Sequence, residues 1–492
     1  MTRSAGNKEK RPSRRGRRTR VKSERRSNRE FAVVTYLFLA IFLAWVIYFI
    51  WFMVFRAEEI LNNSYNARLD VYEEQVIRGS ILANDGTVLA YTSVDDDGEE
   101  TRVYPYGSQF AHVVGYTTNG SAGIESLANY YLVRSNEDAA TQIINDISGE
   151  KDQGDSVITT LDVAVQTAAE EALGSYYGAV VALDPGTGAI LAMVSNPGYD
   201  PNTIAEDYEM YAEYEATSSI LVNRATQGLY APGSTFKIFA ALEYLEEHDY
   251  IDDYSYTCSG SITYGTQTIR CAGGSSHGSL DLVSAFAQSC NGAFVDIGLS
   301  IDQSAYVDLV NACLFNSALP SEYSYNQSSF SLTADSDYAI LMQTVIGQGE
   351  TLVTPYHMAL IVSAIANDGD LMTPYILDHT ENADGETVTE FETGTAYGEL
   401  FTERQASALQ ELMEAVVSEG TASALSGKSY DAAGKTGTAQ YNDGDSTHAW
   451  FIGYAEQDGK QIAIAVIVED SGGGSTYAVP VAEAAFDAYF NE

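Results

Sequence analysis

The sequence predicts an α+β protein held to a membrane by a single helix. Three observations lead there. Residues 31–55 form an uncharged apolar run. Strand-like runs near 178–194 and again near 449–469 bracket a long, mostly helical middle. Three short motifs of Ser, Lys, Asn and Thr lie far apart in the chain, so they can meet only if its distant parts fold into one antiparallel sheet with helices packed on it and beside it.

Residues 1–30 hold 13 Lys/Arg and 3 Asp/Glu, a net of +10, whereas the remaining 462 residues hold 13 and 65, a net of −52. Such asymmetry separates a tail from a body. The 31–55 run is long enough to cross a hydrocarbon core of roughly 30 Å. Thr35 is its only non-aromatic polar side chain, and Tyr36, Trp45, Tyr48 and Trp51 suit the membrane interface. No A-x-A-like cleavage site follows, which favours an uncleaved signal-anchor. By the positive-inside rule, the basic tail 1–30 stays in the cytoplasm and the body from Arg56 onward lies outside. The tail is expected to be disordered, with the anionic surface of the cytoplasmic membrane as its partner. An acidic body excludes nucleic acid as its ligand.

Residues 56–150 mix charged and Gly/Asn-containing segments with short apolar runs. Within them 95–100 (DDDGEE) reads as an exposed loop, and 150–154 (EKDQG) reads as a linker. These readings give a small domain over 56–150 and a large one over 151–492. In the large domain, Val163–Leu173 has helical spacing. The runs 178–183 (GAVVAL) and 189–194 (AILAMV) are buried-type strands joined through the turn residues 184–188 (DPGTG), hence a hairpin. Strand signals return at 449–454 and 462–469, and 481–490 closes as an amphipathic helix.

The four cysteines are Cys258, Cys271, Cys290 and Cys313. Cys258 and Cys271 flank a short Gly/Thr-rich stretch and are expected to close it as a disulfide, which is permitted outside the membrane. Cys290 is expected to stay reduced. Zinc is disfavoured because no C-x-x-C or H-x-x-x-H accompanies them. Neither a metal nor a cofactor is expected.

The motifs are Ser234-Thr235-Phe236-Lys237, Ser289-Cys290-Asn291 and Lys435-Thr436-Gly437-Thr438. Any one of them alone is an ordinary helix boundary or turn. Their order and setting carry the argument. Pro232-Gly233 breaks the preceding structure, so a helix starts at Ser234 and places Lys237 on the same face, within hydrogen-bonding reach. A serine hydroxyl needs a neighbouring base. A lysine desolvated by the apolar run 236–242 has its pKa lowered and can serve as that base. Ser289 can relay a proton to a leaving group, and Asn291 can hold a substrate amide. Lys435, with the Thr436 and Thr438 hydroxyls, suits a carboxylate, and Gly437 lets a ligand backbone come close. The N–H groups of Ser234 and Thr438 could form an oxyanion hole.

This triplet resembles that of penicillin-binding proteins and class A β-lactamases. The chain as a whole resembles the class B penicillin-binding proteins, most of all the small, penicillin-binding protein A-like variety. The resemblance rests on Arg78-Gly79-Ser80-Ile81, Gly86-Thr87-Val88-Leu89-Ala90, Arg102-Val103-Tyr104-Pro105 and Gly123-Ile124-Glu125 in a pedestal domain. In a transpeptidase domain it rests on Thr160-Leu161-Asp162, Asp200-Pro201-Asn202, Asn223-Arg224-Ala225, Gly347-Gln348-Gly349, Gly420-Thr421-Ala422 and Trp450-Phe451. It implies a penicillin-binding, serine β-lactamase-like fold and a serine D-Ala-D-Ala transpeptidase of the bacterial cytoplasmic membrane, acting in cell shape or cell division. Ser234, Lys237 and Ser289 would be catalytic; Asn291, Lys435, Thr436, Gly437 and Thr438 would bind substrate. Its implied partners are peptidoglycan stem peptides, β-lactams and a SEDS-type membrane glycosyltransferase, since 56–150 is too short for a glycosyltransferase domain. A D,D-carboxypeptidase, a tethered β-lactamase, a β-lactam sensor and a scaffold are the alternatives. Two departures stand out. Ala83-Asn84 replaces the family's Asp-Arg and should weaken the pedestal's polar network. Glu322-Tyr323-Ser324-Tyr325-Asn326 imitates the deacylating E-x-x-L-N loop of class A β-lactamases but lacks its Leu.

Overall fold

The computed structural model describes residues 15–55, 75–118, 120–248, 253–440 and 446–491. The chain divides into two compact units, Met1–Asn66 and Ala67–Glu492.

In the first unit, Arg15–Phe55 is one helix. Its segment Phe31–Met53 carries no charged residue and is long and apolar enough to span a bilayer. The helix begins at Arg15, so residues 15–30 are helical where the sequence suggested disorder; Arg, Lys and Glu are good helix formers. The part of the tail before Arg15, and residues 56–74 of the expected small domain, lie outside the described residues.

The second unit is built on a five-stranded antiparallel sheet. Its order is Asp431–Gln440, Thr447–Gln457, Lys460–Val468, Gly178–Leu183 and Ile190–Asn196. The expected hairpin is there: Gly178 pairs with Asn196, and Asp184 accepts the Gly186 N–H at 2.8 Å to close the turn. Every residue of Gly178–Leu183 is buried, because helices cover both faces. Val163–Leu173 and Val479–Phe490 pack together against the sheet, as does Pro355–Ala366, all twelve of whose residues are buried. A strand covered on both sides reads as a continuous apolar run rather than an alternation, which is what GAVVAL and IAIAVIV show.

A second, six-stranded sheet runs Thr387–Glu390, Leu377–Glu381, Ser156–Thr159, Ile81–Leu82, Val88–Val94, Glu100–Val103. It draws on residues both before and after 150. Within the stretch read as a linker, Asp152–Gln153 pairs in parallel with Val76–Ile77. Its polar composition fits half-exposed strands as well as it fits a free loop.

Arg78, Arg102 and Glu125 hold this region together from inside. Glu125 is fully buried and accepts from Arg78 Nε at 2.8 Å, Arg102 Nε at 2.7 Å and the Tyr104 hydroxyl at 3.2 Å. Arg78 also donates to Asn129 Oδ1. Ala83 lies in the apolar core and Asn84 is exposed, at a turn. The network expected to weaken is therefore assembled from other residues.

Candidate active site

The turn at Ala231–Ser234 is fixed by backbone proximity. Gly233 has φ +56°, and a Cβ there would sit 2.8 Å from the Thr438 carbonyl oxygen. A Cβ on Gly347 would fall 1.9 Å from the Gly233 carbonyl oxygen, and Gly233 N–H donates to the Gly347 carbonyl at 2.9 Å. Trp450 Nε1 donates to the Ala231 carbonyl at 3.0 Å. Gly233–Phe236 is a 3-10 turn that passes into the α-helix Lys237–Glu247, so the α-helix proper starts three residues later than the sequence suggested. Phe236 and Phe239 anchor it against Phe315 and Phe330. Ser234 is half-buried at the helix start.

Lys237 is completely buried. Its Nζ donates to the Ser289 carbonyl at 2.7 Å, to Asn291 Oδ1 at 2.8 Å and to Ser289 Oγ at 3.2 Å. Among the described residues no hydrogen bond joins Lys237 to Ser234, contrary to the sequence expectation, because these three acceptors take the ammonium's donors. Such contacts commonly tighten only with substrate present. Burial pushes the Lys237 ammonium down to about 7.

Ser289 stands between the helices Leu282–Ala287 and Asn291–Ser300 with φ +53°, a strained left-handed conformation for a side-chain-bearing residue. The kink turns its hydroxyl and its carbonyl toward Lys237. Cys290 caps the second helix, accepting the Ala293 N–H at Sγ. Asn291 Nδ2 donates to the Arg270 carbonyl at 3.0 Å, which fixes the amide so that its oxygen meets Lys237.

The third motif lies on Asp431–Gln440, with Lys435 opposite Ile452 and Gly437 opposite Trp450. Lys435 is completely buried; its Nζ donates to Ser289 Oγ at 2.9 Å and to the Thr436 carbonyl at 3.1 Å. Burial, and then the neighbouring Lys237, hold its pKa well below the ordinary value. The Thr436 hydroxyl meets that of Thr421. A Cβ at Gly437 would lie 2.9 Å from Trp450 Cβ and 3.0 Å from a Thr235 methyl. Thr438 alone of the four faces solvent.

Three distant segments thus meet around one hydroxyl. Two lysines donate to Ser289 Oγ, filling its two acceptor positions and leaving its own proton to be donated elsewhere. Each lysine also lies over a ring, Lys237 5.4 Å from the centre of Phe294 and Lys435 5.4 Å from that of Phe286. Neither ring, nor the Arg270 carbonyl, carried any local signal in sequence. Thr421, Gly347 and Trp450 were legible only through the family resemblance. Glu322 lines a separate cavity of about 350 Å³ with His112, Tyr116, Tyr199 and Tyr323.

The cysteines are all free thiols. Cys258 and Cys271 have their sulfurs 3.6 Å apart, so the expected disulfide is not formed. Two further groups crowd the same point: His277 Nδ1 lies 3.3 Å from Cys258 Sγ, and Cys290 Sγ lies 3.8 Å from Cys271 Sγ.

Comparison with known proteins gives a consistent result. A family model described as penicillin binding protein transpeptidase domain matches residues 178–488, and one described as penicillin binding protein A dimerisation domain matches 78–157. The chain is 34% identical over 474 residues to the peptidoglycan D,D-transpeptidase PbpA of Mycolicibacterium smegmatis, covering 89% of this chain and 94% of that one. It is 29% identical over 459 residues to the peptidoglycan D,D-transpeptidase MrdA of Acinetobacter baumannii, covering 81% and 67%. Penicillin-binding protein A from M. tuberculosis, solved as a ceftriaxone acyl-enzyme complex, superposes with TM-score 0.76 at 30% identity, covering 85% of this chain and 99% of that one. The D,D-transpeptidase domain of a peptidoglycan glycosyltransferase from Eggerthella lenta superposes with TM-score 0.75 at 31% identity, covering 84% and 99%.

Proposed function

The chain belongs to the penicillin-binding protein transpeptidase family, and from that premise we propose that it is a serine D,D-transpeptidase that cross-links peptidoglycan stem peptides and is acylated by β-lactams. One observation carries the reading: a fully buried lysine, one helical turn from a half-exposed serine, is hydrogen-bonded to acceptors of the second motif and to no carboxylate among the described residues.

Neutral Lys237 takes the Ser234 proton as Oγ attacks the penultimate D-alanine carbonyl. The oxyanion that forms is held by the N–H groups of Ser234 and Thr438, each such donor being worth about 3 kcal/mol. Ser289 passes its proton to the departing D-alanine amine and is reprotonated by the Lys237 ammonium. Lys435, Thr436 and Thr438 receive the terminal carboxylate, Gly437 admits the peptide backbone, and Asn291 orients the amide. An amine of a second stem peptide then attacks the ester, and the same groups run in reverse. A β-lactam enters by the first half alone.

We further assign Phe31–Met53 as the single-pass anchor in the bacterial cytoplasmic membrane, with the basic tail inside and residues from 75 onward outside. The charge step across the span supports that orientation. Residues 56–150 serve as the pedestal and 151–492 as the catalytic domain, and glycan polymerisation falls to a SEDS-type membrane glycosyltransferase. The hydrolytic alternative finds no support in the position of Glu322, which lines the cavity with His112 rather than the Lys237 site. Intact-protein mass spectrometry after incubation with a penicillin tests the assignment. One adduct is expected in the wild type and none in Ser234→Ala; an adduct that survives in the variant would refute the nucleophile.

A further inference from the structure

The geometry points to a zinc site, formed by Cys258, Cys271, His277 and Cys290, that fixes the second motif in place. The three sulfurs and one ring nitrogen all lie within 4.8 Å of one another. Two thiolates 2.3 Å from one tetrahedral ion must sit roughly 3.8 Å apart, and a thiolate and an imidazole nitrogen roughly 3.6 Å apart. The observed edges are 3.6 Å between Cys258 and Cys271, 3.8 Å between Cys271 and Cys290, and 3.3 Å between Cys258 and His277 Nδ1. These fit a shared ion and are far from the roughly 2.05 Å of a disulfide.

The surroundings suit thiolates. Backbone N–H groups point at two of the sulfurs, Gly260 at Cys258 and Ala293 at Cys290, each at 3.4 Å. Such outer donors orient ligands and stabilise sulfur-borne charge. The three cysteines are buried and His277 is half-buried, so four protein ligands close the site and leave it structural rather than catalytic. Three thiolates and an imidazole in a tetrahedron favour Zn²⁺ over Mg²⁺ or Ca²⁺, which take oxygen. Binding releases the three thiol protons to solvent and leaves the site with one net negative charge.

The ligands come from the strand Tyr256–Cys258, the 3-10 turn that Cys271 caps, the residue before Gly278–Leu280, and the cap of Asn291–Ser300. The ion therefore ties a small peripheral β-region to the residue between Ser289 and Asn291. That region also supplies the Arg270 carbonyl that holds Asn291. A metal here acts on the reaction only through the position of those two side chains.

Full-length protein purified in detergent without chelator should contain about one zinc per chain by plasma mass spectrometry. His277→Gln, a change at a half-exposed position that the fold should tolerate, should weaken zinc retention against a competing chelator by at least about 10-fold. Protein stripped and reloaded with Co²⁺ should show the intense thiolate-to-cobalt charge-transfer absorption of a tetrahedral site. Wild-type protein that carries no zinc, takes up no cobalt in this form, or yields a Cys258–Cys271 disulfide on non-reducing peptide mapping would overturn the site. Penicillin labelling should slow in the stripped protein and recover with zinc; an unchanged rate would overturn the positioning role. The positioning role rests on the proposed transpeptidase reading, whereas metal content is read without it. A zinc-loaded protein that penicillin never labels would therefore count against the proposed function and leave the site standing.

Discussion

Two regions of this molecule bury charge, and they do it in opposite ways. In the pedestal, Glu125 sits between Arg78 and Arg102, with ion-pair distances of 2.7 Å to each. In the catalytic domain, Lys237 and Lys435 are both fully buried, share Ser289 as a hydrogen-bond acceptor, and meet no carboxylate among the described residues. The first cluster offsets the desolvation of its carboxylate with two guanidiniums, so the carboxylate stays ionised and the fold gains a fixed joint. The second leaves two like charges with only neutral partners, so the cheapest response is for a lysine to lose its proton. A site that needs a base near neutrality and a joint that needs permanent charge call for different company around the same kind of burial.

The largest way to break this comparison is at Lys237. Arginine cannot be deprotonated in a protein, so Lys237→Arg keeps a cation and removes the base. Penicillin labelling should fall by about 10²- to 10⁴-fold, the range a general base supplies. A variant that labels at near wild-type rate would show that a charged group suffices and that the pKa near 7 is incidental. In the wild type the labelling rate should rise with pH through about 7, as Lys237 loses its proton, and should fall by about tenfold per pH unit below that midpoint.

Next in size is the pedestal. Glu125→Gln leaves two largely buried guanidiniums without their fully buried anion, which should cost about 3–5 kcal/mol, read as a lower denaturation midpoint with the labelling rate of the folded fraction unchanged. Burial opposes ionisation of Glu125, but the adjacent Arg102 and Arg78 outweigh it and hold its pKa below the ordinary 4.5. A depressed carboxylate contributes stability that is present above its unfolded value and lost as pH falls through its folded one. Wild type should therefore lose stability below about pH 4.5, and Glu125→Gln should lose less over the same range. Equal acid sensitivity would remove the charge from the argument.

How much of this was legible follows from where each signal lies in the chain. Ser234 with Lys237, Ser289 with Asn291, and Lys435 with Thr438 were visible because each pair is local, so residue type, order and setting are read within one short segment. The buried-type strands were visible because a doubly covered strand has no polar alternation. Partners from elsewhere in the chain were not. Nothing near 237 says that its ammonium will meet the Ser289 carbonyl instead of Ser234, because that depends on a left-handed turn at a serine. The four groups of the proposed zinc site are spread over 258–290 without a short spacing, so only the folded hairpin brings them together. The stretch 150–154 read as a linker because composition cannot separate an exposed edge strand from a loop.

The smallest effect sharpens the comparison most. The family's first motif carries Asp-Arg where this chain has Ala83-Asn84, and the sequence alone suggests an arginine missing from the pedestal network. The structure shows no shortage of donors: the group left without a hydrogen-bond partner among the described residues is itself a donor, the buried Arg102 Nη2. Both oxygens of Glu125 are already engaged, Oε2 by Arg78 and Oε1 by Arg102 and Tyr104, and Arg102 reaches the Gly79 carbonyl at 2.7 Å. Asn84 is exposed, at a turn closed by backbone bonds from Ala83 N–H to the Thr87 carbonyl and from Asn84 N–H to the Leu161 carbonyl. An arginine there would point into water, so Asn84→Arg should change stability by less than about 0.5 kcal/mol, the usual range for a surface substitution. Ala83 is fully buried in an apolar setting. Ala83→Asp combined with Asn84→Arg would need the new guanidinium to follow the new carboxylate inward. Thermal denaturation of the single variant Asn84→Arg decides the matter. Stabilisation by more than about 1 kcal/mol, the scale of a net new hydrogen bond, would mean that the buried carboxylate is still short of a donor and that the pedestal, like the active site, holds a charge its neighbours have not fully met.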